Sequence, residues 1–271
     1  MRSTFCALGL GLLLLGTTAA QADDGRFSVG AGANYSTGKY GTDTSTDIWS
    51  VPITAGWQND RWTLKLTVPY VGISGSSDVI PGTGGVKNGN PHGRGHGQGN
   101  GAGSATASTG SASGLGDIVA SAGYELFSSA DHSAGLDLTG KVKFGTADED
   151  KGLGTGKNDY GLALDAYKAF GDWTVFGGAG WMKYGSSQYI KLKNGFNANL
   201  GAGFKMSQTD DVGAYYYYRE KIADGGAAQS ELTAYWNHKI GDNWRLQSYV
   251  MGGMADGSPD WGVGATAKYL F

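Results

Sequence analysis

From Trp261 to Phe271 the chain alternates: Trp261, Val263, Ala265, Ala267, Tyr269 and Phe271 take every second position, with Gly262, Gly264, Thr266 and Lys268 between them. Successive side chains of a strand point to opposite faces, so the row predicts a strand with one oily and one wet side. The same period recurs about twelve times. Phe27 to Tyr35, Trp49 to Trp57, Trp62 to Tyr70, Ile118 to Leu126, Leu136 to Phe144 and Tyr160 to Ala166 form the first six rows. Trp173 to Trp181, Phe196 to Met206, Val212 to Tyr218, Ala228 to Trp236, Trp244 to Val250 and the terminal row complete the set.

The intervening positions are polar. Lys65, Asp137, Lys141, Lys143, Asp165, Lys205, Tyr215, Tyr217, Arg219, Glu231, Tyr235, Arg245, Tyr249 and Lys268 all fall on the parity opposite to the apolar rows. A Lys or Arg facing mid-bilayer costs roughly 2–4 kcal/mol, so these side chains are expected to line a hydrated lumen. Beyond the N-terminal segment no apolar stretch reaches helical membrane length. Only helices and closed barrels satisfy every backbone polar group in hydrocarbon, which leaves the barrel.

Link lengths agree. Long links at Gly38–Asp47, Gly72–Ser113, Thr146–Lys157, Gly185–Tyr189, Ile222–Ala227 and Ala255–Ser258 follow the odd strands. Tight corners such as Asn59-Asp60, Gly171-Asp172 and Gly241-Asp242 follow the even ones. The fold class expected is all-β: a transmembrane antiparallel up-and-down β-barrel of about 12 strands, short turns toward the periplasm. A water-soluble sandwich or lipocalin-like barrel also alternates, but aromatics crowd the strand ends here, as at Tyr35, Trp49, Trp62, Trp173 and Trp244.

The N-terminus supplies a compartment. Arg2, the apolar run Phe5 to Leu15 and the small-residue site Ala20-Gln21-Ala22 read as a signal peptide over residues 1–22, cleaved before Asp23. The barrel then spans 23–271, and the address is the cell outer membrane of the Gram-negative type. Cys6, the only cysteine, falls within the signal, so the mature chain offers no disulfide, thiolate metal site or cysteine nucleophile. Outer-membrane lipid and lipopolysaccharide are the expected surroundings, and the aromatic-ended C-terminal strand is the expected handle for barrel-assembly machinery.

Charge narrows the function. Without Arg2 there remain 20 basic against 24 acidic residues, a formal charge of −4, which points to no nucleic-acid partner. Twelve strands lie between the filled eight-stranded barrel and the open 16-stranded channel. The lumen therefore conducts small solutes or is closed by its own ion pairs and tyrosines, and the bore alone leaves both open. Basic residues outnumber acids inside, so mild anion preference is one reading; pairing of those charges to stiffen the wall is the favoured one.

Residues 82–112 are read as a flexible Gly-rich extracellular loop. Its His92 and His96 supply at most two metal ligands on a tether, a weak and unselective set, so no metal is expected. Asp148-Glu149-Asp150 reads as a solvated charge cluster. No cofactor and no enzyme activity are expected: no serine pairs by strand position with His132 or His238, which lie near the short-turn rim, and the other two histidines sit in the loop.

Gly114-Leu115-Gly116-Asp117-Ile118 resembles the GLGD-type signature of the outer-membrane family called "MetA-pathway of phenol degradation", a set of transporter-like barrels. Phe144-Gly145-Thr146, Leu153-Gly154-Thr155-Gly156, Asp159-Tyr160 and Phe170-Gly171-Asp172-Trp173-Thr174 are similar to it too, so the resemblance covers about Ser113 to Gly185. It implies a channel for small solutes, aromatic or hydrophobic compounds in some members, with no catalytic residues to carry over. A related type carries a coiled-coil plug before its barrel; only Asp23 to Gly25 precede the first strand here, so none is expected.

Overall fold

A computed structural model describes residues 2–4, 16–18, 25–94 and 109–271. Among them twelve staves close into an antiparallel barrel. They are β1 (Arg26–Gly38), β2 (Thr46–Gln58), β3 (Trp62–Ser76), β4 (Thr109–Leu115 continued by Ile118–Ser128), β5 (Ala134–Phe144) and β6 (Asp159–Phe170). The second half comprises β7 (Trp173–Lys183), β8 (Gly195–Lys205), β9 (Asp210–Arg219), β10 (Gln229–Ile240), β11 (Trp244–Gly253) and β12 (Trp261–Leu270). Each pairs with its sequence neighbour, and β12 returns to β1 in a register that sets Val263 opposite Tyr35 and Ala265 opposite Ala33. Two short strands, Arg2–Thr4 and Gly16–Thr18, pair only with each other. Phe5 to Leu15, Cys6 and the Ala20-Gln21-Ala22 site lie outside the described residues.

The parity of the sequence is the parity of the wall. On β8, Phe196, Ala198 and Leu200 are exposed whereas Asn197 and Asn199 are buried. A barrel whose apolar side chains are outside and whose amides are inside is inverted relative to a water-soluble protein, and an apolar solvent makes that arrangement favourable. Rings mark the two edges of the apolar band. Tyr35 with Trp261 (5.5 Å between centroids) and Trp49 with Tyr70 (5.8 Å) sit toward the long links. Trp62 with Tyr124 (4.8 Å), Trp173 with Phe204 (4.9 Å) and Trp244 with Tyr269 (5.2 Å) sit toward the short turns. Amphipathic rings are satisfied at such interfaces, where one end is apolar and the other wet.

Two elements differ from the sequence reading. The link after β3 was expected to begin at Gly72, yet β3 and β4 stay paired as far as Ser76 opposite Thr109, so residues 109–112 of the expected loop are strand. Gly, Ser and Thr there carry no apolar row, because a ladder above the membrane needs only backbone and short polar ties such as Ser74 Oγ to Ser111 Oγ (2.7 Å). Phe127 is exposed beside Leu126, since a bulge shifts the β4–β5 register at Leu136/Asp137 and breaks strict alternation.

Leu66 and Thr67 are neighbours on β3, one outward and one facing the interior cavity. In lipid vesicles titrated with urea, Leu66→Arg is expected to lower unfolding free energy by about 2–4 kcal/mol, and Thr67→Arg by less than half of that. Equal losses would show that the two parities do not divide lipid from lumen.

Candidate functional site

The lumen is packed unevenly. From β6, β7, β9, β10 and β11 come Tyr167, Phe176, Tyr215, Tyr235 and Tyr249, which gather into one aromatic cluster. Phe176 and Tyr215 have centroids 6.5 Å apart, and Tyr215 and Tyr235 6.4 Å. The rings fit because glycines lie beneath them: a Cβ on Gly213 would come within 2.3 Å of the Tyr235 hydroxyl oxygen, and one on Gly264 within 2.4 Å of the Tyr249 ring. Across the barrel the inward residues of β1 to β4 are mostly small, as at Ser28, Gly30, Gly32, Thr54, Gly56 and Ser121. Rings therefore fill one side of the bore while small residues leave the other open.

Above this floor lies a cavity of about 240 Å³. Lys65, Lys141, Lys143, Tyr217, Arg219 and Glu231 line it, together with Asp117 and Asp159. Its roof is a hairpin built from Val79–Ile80 and Gly84–Gly85, which folds into the long-loop end of the barrel. Positive φ at Gly82 (79°) and Gly84 (78°) makes the tight tip available only at low cost to glycine. Arg219 holds that tip, donating from Nη1 to the Gly82 carbonyl (3.0 Å) and from Nη2 to the Thr83 carbonyl (2.6 Å). Arg94 holds the base, donating to the carbonyls of Ser76, Val79 and Gly152. Burial pushes its guanidinium down to about 10, which still leaves it charged at neutral pH.

The hairpin has its own apolar core. Ile80 and Val86 pack with Ile190 and Ala223 from two other long links, and Val79 packs with Tyr40, Ile73, Ala147 and Leu153. Burying a side chain of this kind stabilises by roughly 1.5–3 kcal/mol, so full withdrawal of Val79, Ile80 and Val86 costs on the order of 5–9 kcal/mol. At 1.4 kcal/mol per tenfold, fewer than about one molecule in a thousand is withdrawn at a given moment. The roof is a fixed part of the resting lumen.

An ion-paired corner braces the wall beside the cavity. Lys143 Nζ lies 2.7 Å from Asp117 Oδ2 and 3.0 Å from Asp159 Oδ2. Asp117 Oδ1 accepts from the Ala147 amide (3.0 Å), and Asp159 Oδ1 from the Gly185 amide (2.8 Å). Thr146 Oγ1 donates to the Gly116 carbonyl (2.9 Å) and accepts from the Ile118 amide (2.9 Å). The scattered motif residues 114–118, 144–146, 153–156 and 159 thus converge on one structural tie.

Of the remaining expected lumen residues, Tyr215, Tyr235 and Tyr249 belong to the aromatic cluster or pack on it. Asp165 is buried against Asn199, and Asp137 stands opposite both Asp165 and Glu125 in the register. Lys205, Arg245 and Lys268 lie toward the short turns and do not touch the cavity. Sequence reasoning missed the hairpin, Arg94 and Tyr184, over whose ring the Arg219 guanidinium sits at 5.9 Å. Val79-Ile80, an apolar pair just before Pro81-Gly82, was the available signal.

Residues 82–94 of the expected flexible loop are hydrogen-bonded into the fold; residues 95–108, His96 among them, lie outside the described residues. In the acidic run Asp148 and Asp150 are exposed, as a solvated cluster requires, while Asp150 also accepts from Asn90 Nδ2 (2.9 Å) and Glu149 Oε1 is buried.

The expectation that no serine pairs with His132 is corrected. A turn brings Ser128 Oγ to 3.0 Å from His132 Nδ1, a contact strand parity cannot show. At His238, Nδ1 lies 2.8 Å from Asp210 Oδ1, while Ser207 Oγ donates to Asp210 Oδ2 (2.9 Å). Serine and histidine there both address the carboxylate, so the histidine is not placed to take the serine's proton.

No protein-family model matches the chain, and no curated protein matches it. Solved structures do. The COG4313 outer membrane channel from Pseudomonas putida F1 superposes with a TM-score of 0.66 at 15% identity, over 93% of this chain and 97% of that one. The chain has the fold of an outer-membrane barrel. The beta domain of the Bordetella autotransporter BrkA also superposes, with a TM-score of 0.52 at 16% identity, over 92% of this chain and 100% of that one. A channel and an autotransporter domain on one architecture mean that the lumen, and not the fold, must identify the activity.

Lys143→Met leaves Asp117 and Asp159 buried without their cation. Unfolding in urea is expected to show a loss of about 3–5 kcal/mol. A loss below about 1 kcal/mol would make the corner a surface ion pair in all but appearance.

Proposed function

We propose that the protein is a passive outer-membrane channel for small solutes, aromatic or otherwise hydrophobic ones among them, with the hairpin as its constriction. The observation that carries this reading is the cavity: about 240 Å³ of space lined by apolar groups together with charged ones, inside a barrel whose outer face is apolar. A cavity of roughly 150 Å³ accepts benzene, so the space suits a single substituted ring. The fold shared with the Pseudomonas putida channel supports the reading, as does the motif resemblance to the phenol-degradation family. In this reading outer-membrane lipid and lipopolysaccharide wet the outer face, the long-loop rim faces outward, and β12 is the strand offered to barrel-assembly machinery.

The aromatic cluster and the packed roof favour a second reading, a closed barrel with a structural or surface-interaction role. Planar-bilayer recording separates the two. The wild-type protein is expected to conduct weakly, Arg219→Gln more strongly, and a form with residues 77–94 replaced by a Gly-Ser linker at least about tenfold more, as removal of a roof worth several kcal/mol requires. Silence in all three forms would leave the closed barrel.

A further inference from the structure

The short-turn end of the lumen carries a row of cations in direct register. Lys239 on β10 stands opposite Arg245 on β11, and Arg245 stands opposite Lys268 on β12. Like charges directly opposite on adjacent strands are destabilising. Asp211 and Asp242 are the acids within electrostatic reach of Lys239 and Arg245, and neither forms an ion pair with them among the described residues. Arg245 turns Nη1 to the carbonyls of Gly241 (3.3 Å) and Trp244 (2.8 Å), which leaves its buried Nε without an acceptor.

Lys268 ends the row on β12. It is only 8% exposed, and among the described residues it has no hydrogen-bond or ion-pair partner. The charges that act on it, Lys65 and Arg245, are both cationic. Two residues along the same inward face, Thr266 Oγ1 is buried and unsatisfied. Facing Lys268 on β1 is Gly30, which projects no side chain and has the Thr54 hydroxyl beside it, and the Tyr249 ring lies over Gly264 on the same inward face. A largely buried lysine, a buried hydroxyl and a buried guanidinium N–H thus stand on neighbouring inward positions of β11 and β12, the latter two without a protein acceptor.

We propose that this stretch of the inner wall binds a small carboxylate anion, held by Lys268 Nζ with Arg245 and Thr266 as further donors. A carboxylate has two oxygens and about four acceptor positions, which matches the unmet donors, and its charge relieves the repulsion along the row. Transport of such an anion deepens the channel reading and rests on it; binding does not.

The test uses the full mature barrel, refolded in detergent with isotope-labelled lysine and titrated with acetate at constant ionic strength. One lysine side-chain resonance, assigned by its disappearance in Lys268→Gln, is expected to shift saturably with acetate and not with acetamide. By calorimetry, which needs no lysine at the site, Lys268→Arg should retain acetate binding, and Arg245→Gln should weaken it by about tenfold, the loss of one charge-assisted hydrogen bond. Should Lys268→Gln fail to fold, the resonance is assigned through Lys268→Arg. No saturable shift, or an equal shift with acetamide, overturns the site. In bilayers the anion-to-cation permeability ratio should fall in Lys268→Gln by about threefold or more, as expected when one fixed charge leaves a narrow pore. A silent barrel that still binds acetate defeats the channel reading alone; a conducting barrel that ignores acetate defeats the site alone.

Discussion

The structure depends on one seam, the pairing of β12 with β1. In hydrocarbon an unsatisfied backbone N–H or C=O costs several kcal/mol, so a sheet with free edges has no stable place there. The ladder runs from Leu270 opposite Ser28 to Trp261 opposite Thr37, and it is extended at both ends by Phe271 N to Phe27 O (3.0 Å) and Asp260 N to Thr37 O (2.8 Å). Closure also fixes register. A slip of one residue would turn every charged side chain of a strand into lipid, so the seam holds each inward row in place.

Closure with twelve staves creates a bore too wide for ordinary side chains and too narrow to be left alone. This chain resolves the mismatch with two devices of different kinds. Wide aromatic rings over in-strand glycines fill one side at mid-height, and an inward hairpin with its own apolar core fills the long-loop end. What remains is a bounded cavity instead of a tube. Its walls carry both apolar and charged side chains, and its roof is tied by guanidinium groups because carbonyls at a hairpin tip need donors once water is excluded.

Much of the wall was legible in the sequence because its cause is local: a strand's two solvents impose period two on its own residues, as at Phe196 to Lys205. The same logic explains what was hidden. Ser74 to Ser76 and Thr109 to Ser113 pair through backbone above the membrane, where no apolar row is required, so they read as loop. The hairpin's Val79-Ile80 is a single apolar pair in a Gly-rich run, and its burial depends on Ala147 and Leu153 around Val79 and on Ile190 and Ala223 around Ile80, all distant in the chain. Among the motif residues the glycines were visible but their reason was not. A Cβ on Gly116 would meet Val71 Cγ2 at 2.7 Å and Pro69 Cγ at 2.9 Å, a contact made only by the β3–β4 register.

Register also decides how the inward charges are distributed, and here the barrel makes something that no single strand contains. Glu125, Asp137 and Asp165 fall opposite one another across β4, β5 and β6, while Lys239, Arg245 and Lys268 do so across β10, β11 and β12. On a ring of twelve staves these two sets stand six strands apart, on facing walls. Ion pairing between neighbours would have required opposite signs in adjacent strands, and the chain instead places like signs there. Glu125 and Asp137 have partners of their own, and Asp165 meets Asn199 while its Oδ2 stays unsatisfied, so the walls are not equal and opposite. The cations along β10 to β12 nevertheless give the short-turn half of the lumen an electrical side. The aromatic wall and the small-residue wall divide the same bore sterically. Shape and charge therefore both distinguish one side of this lumen from the other, which a barrel filled only for stability has no need to do.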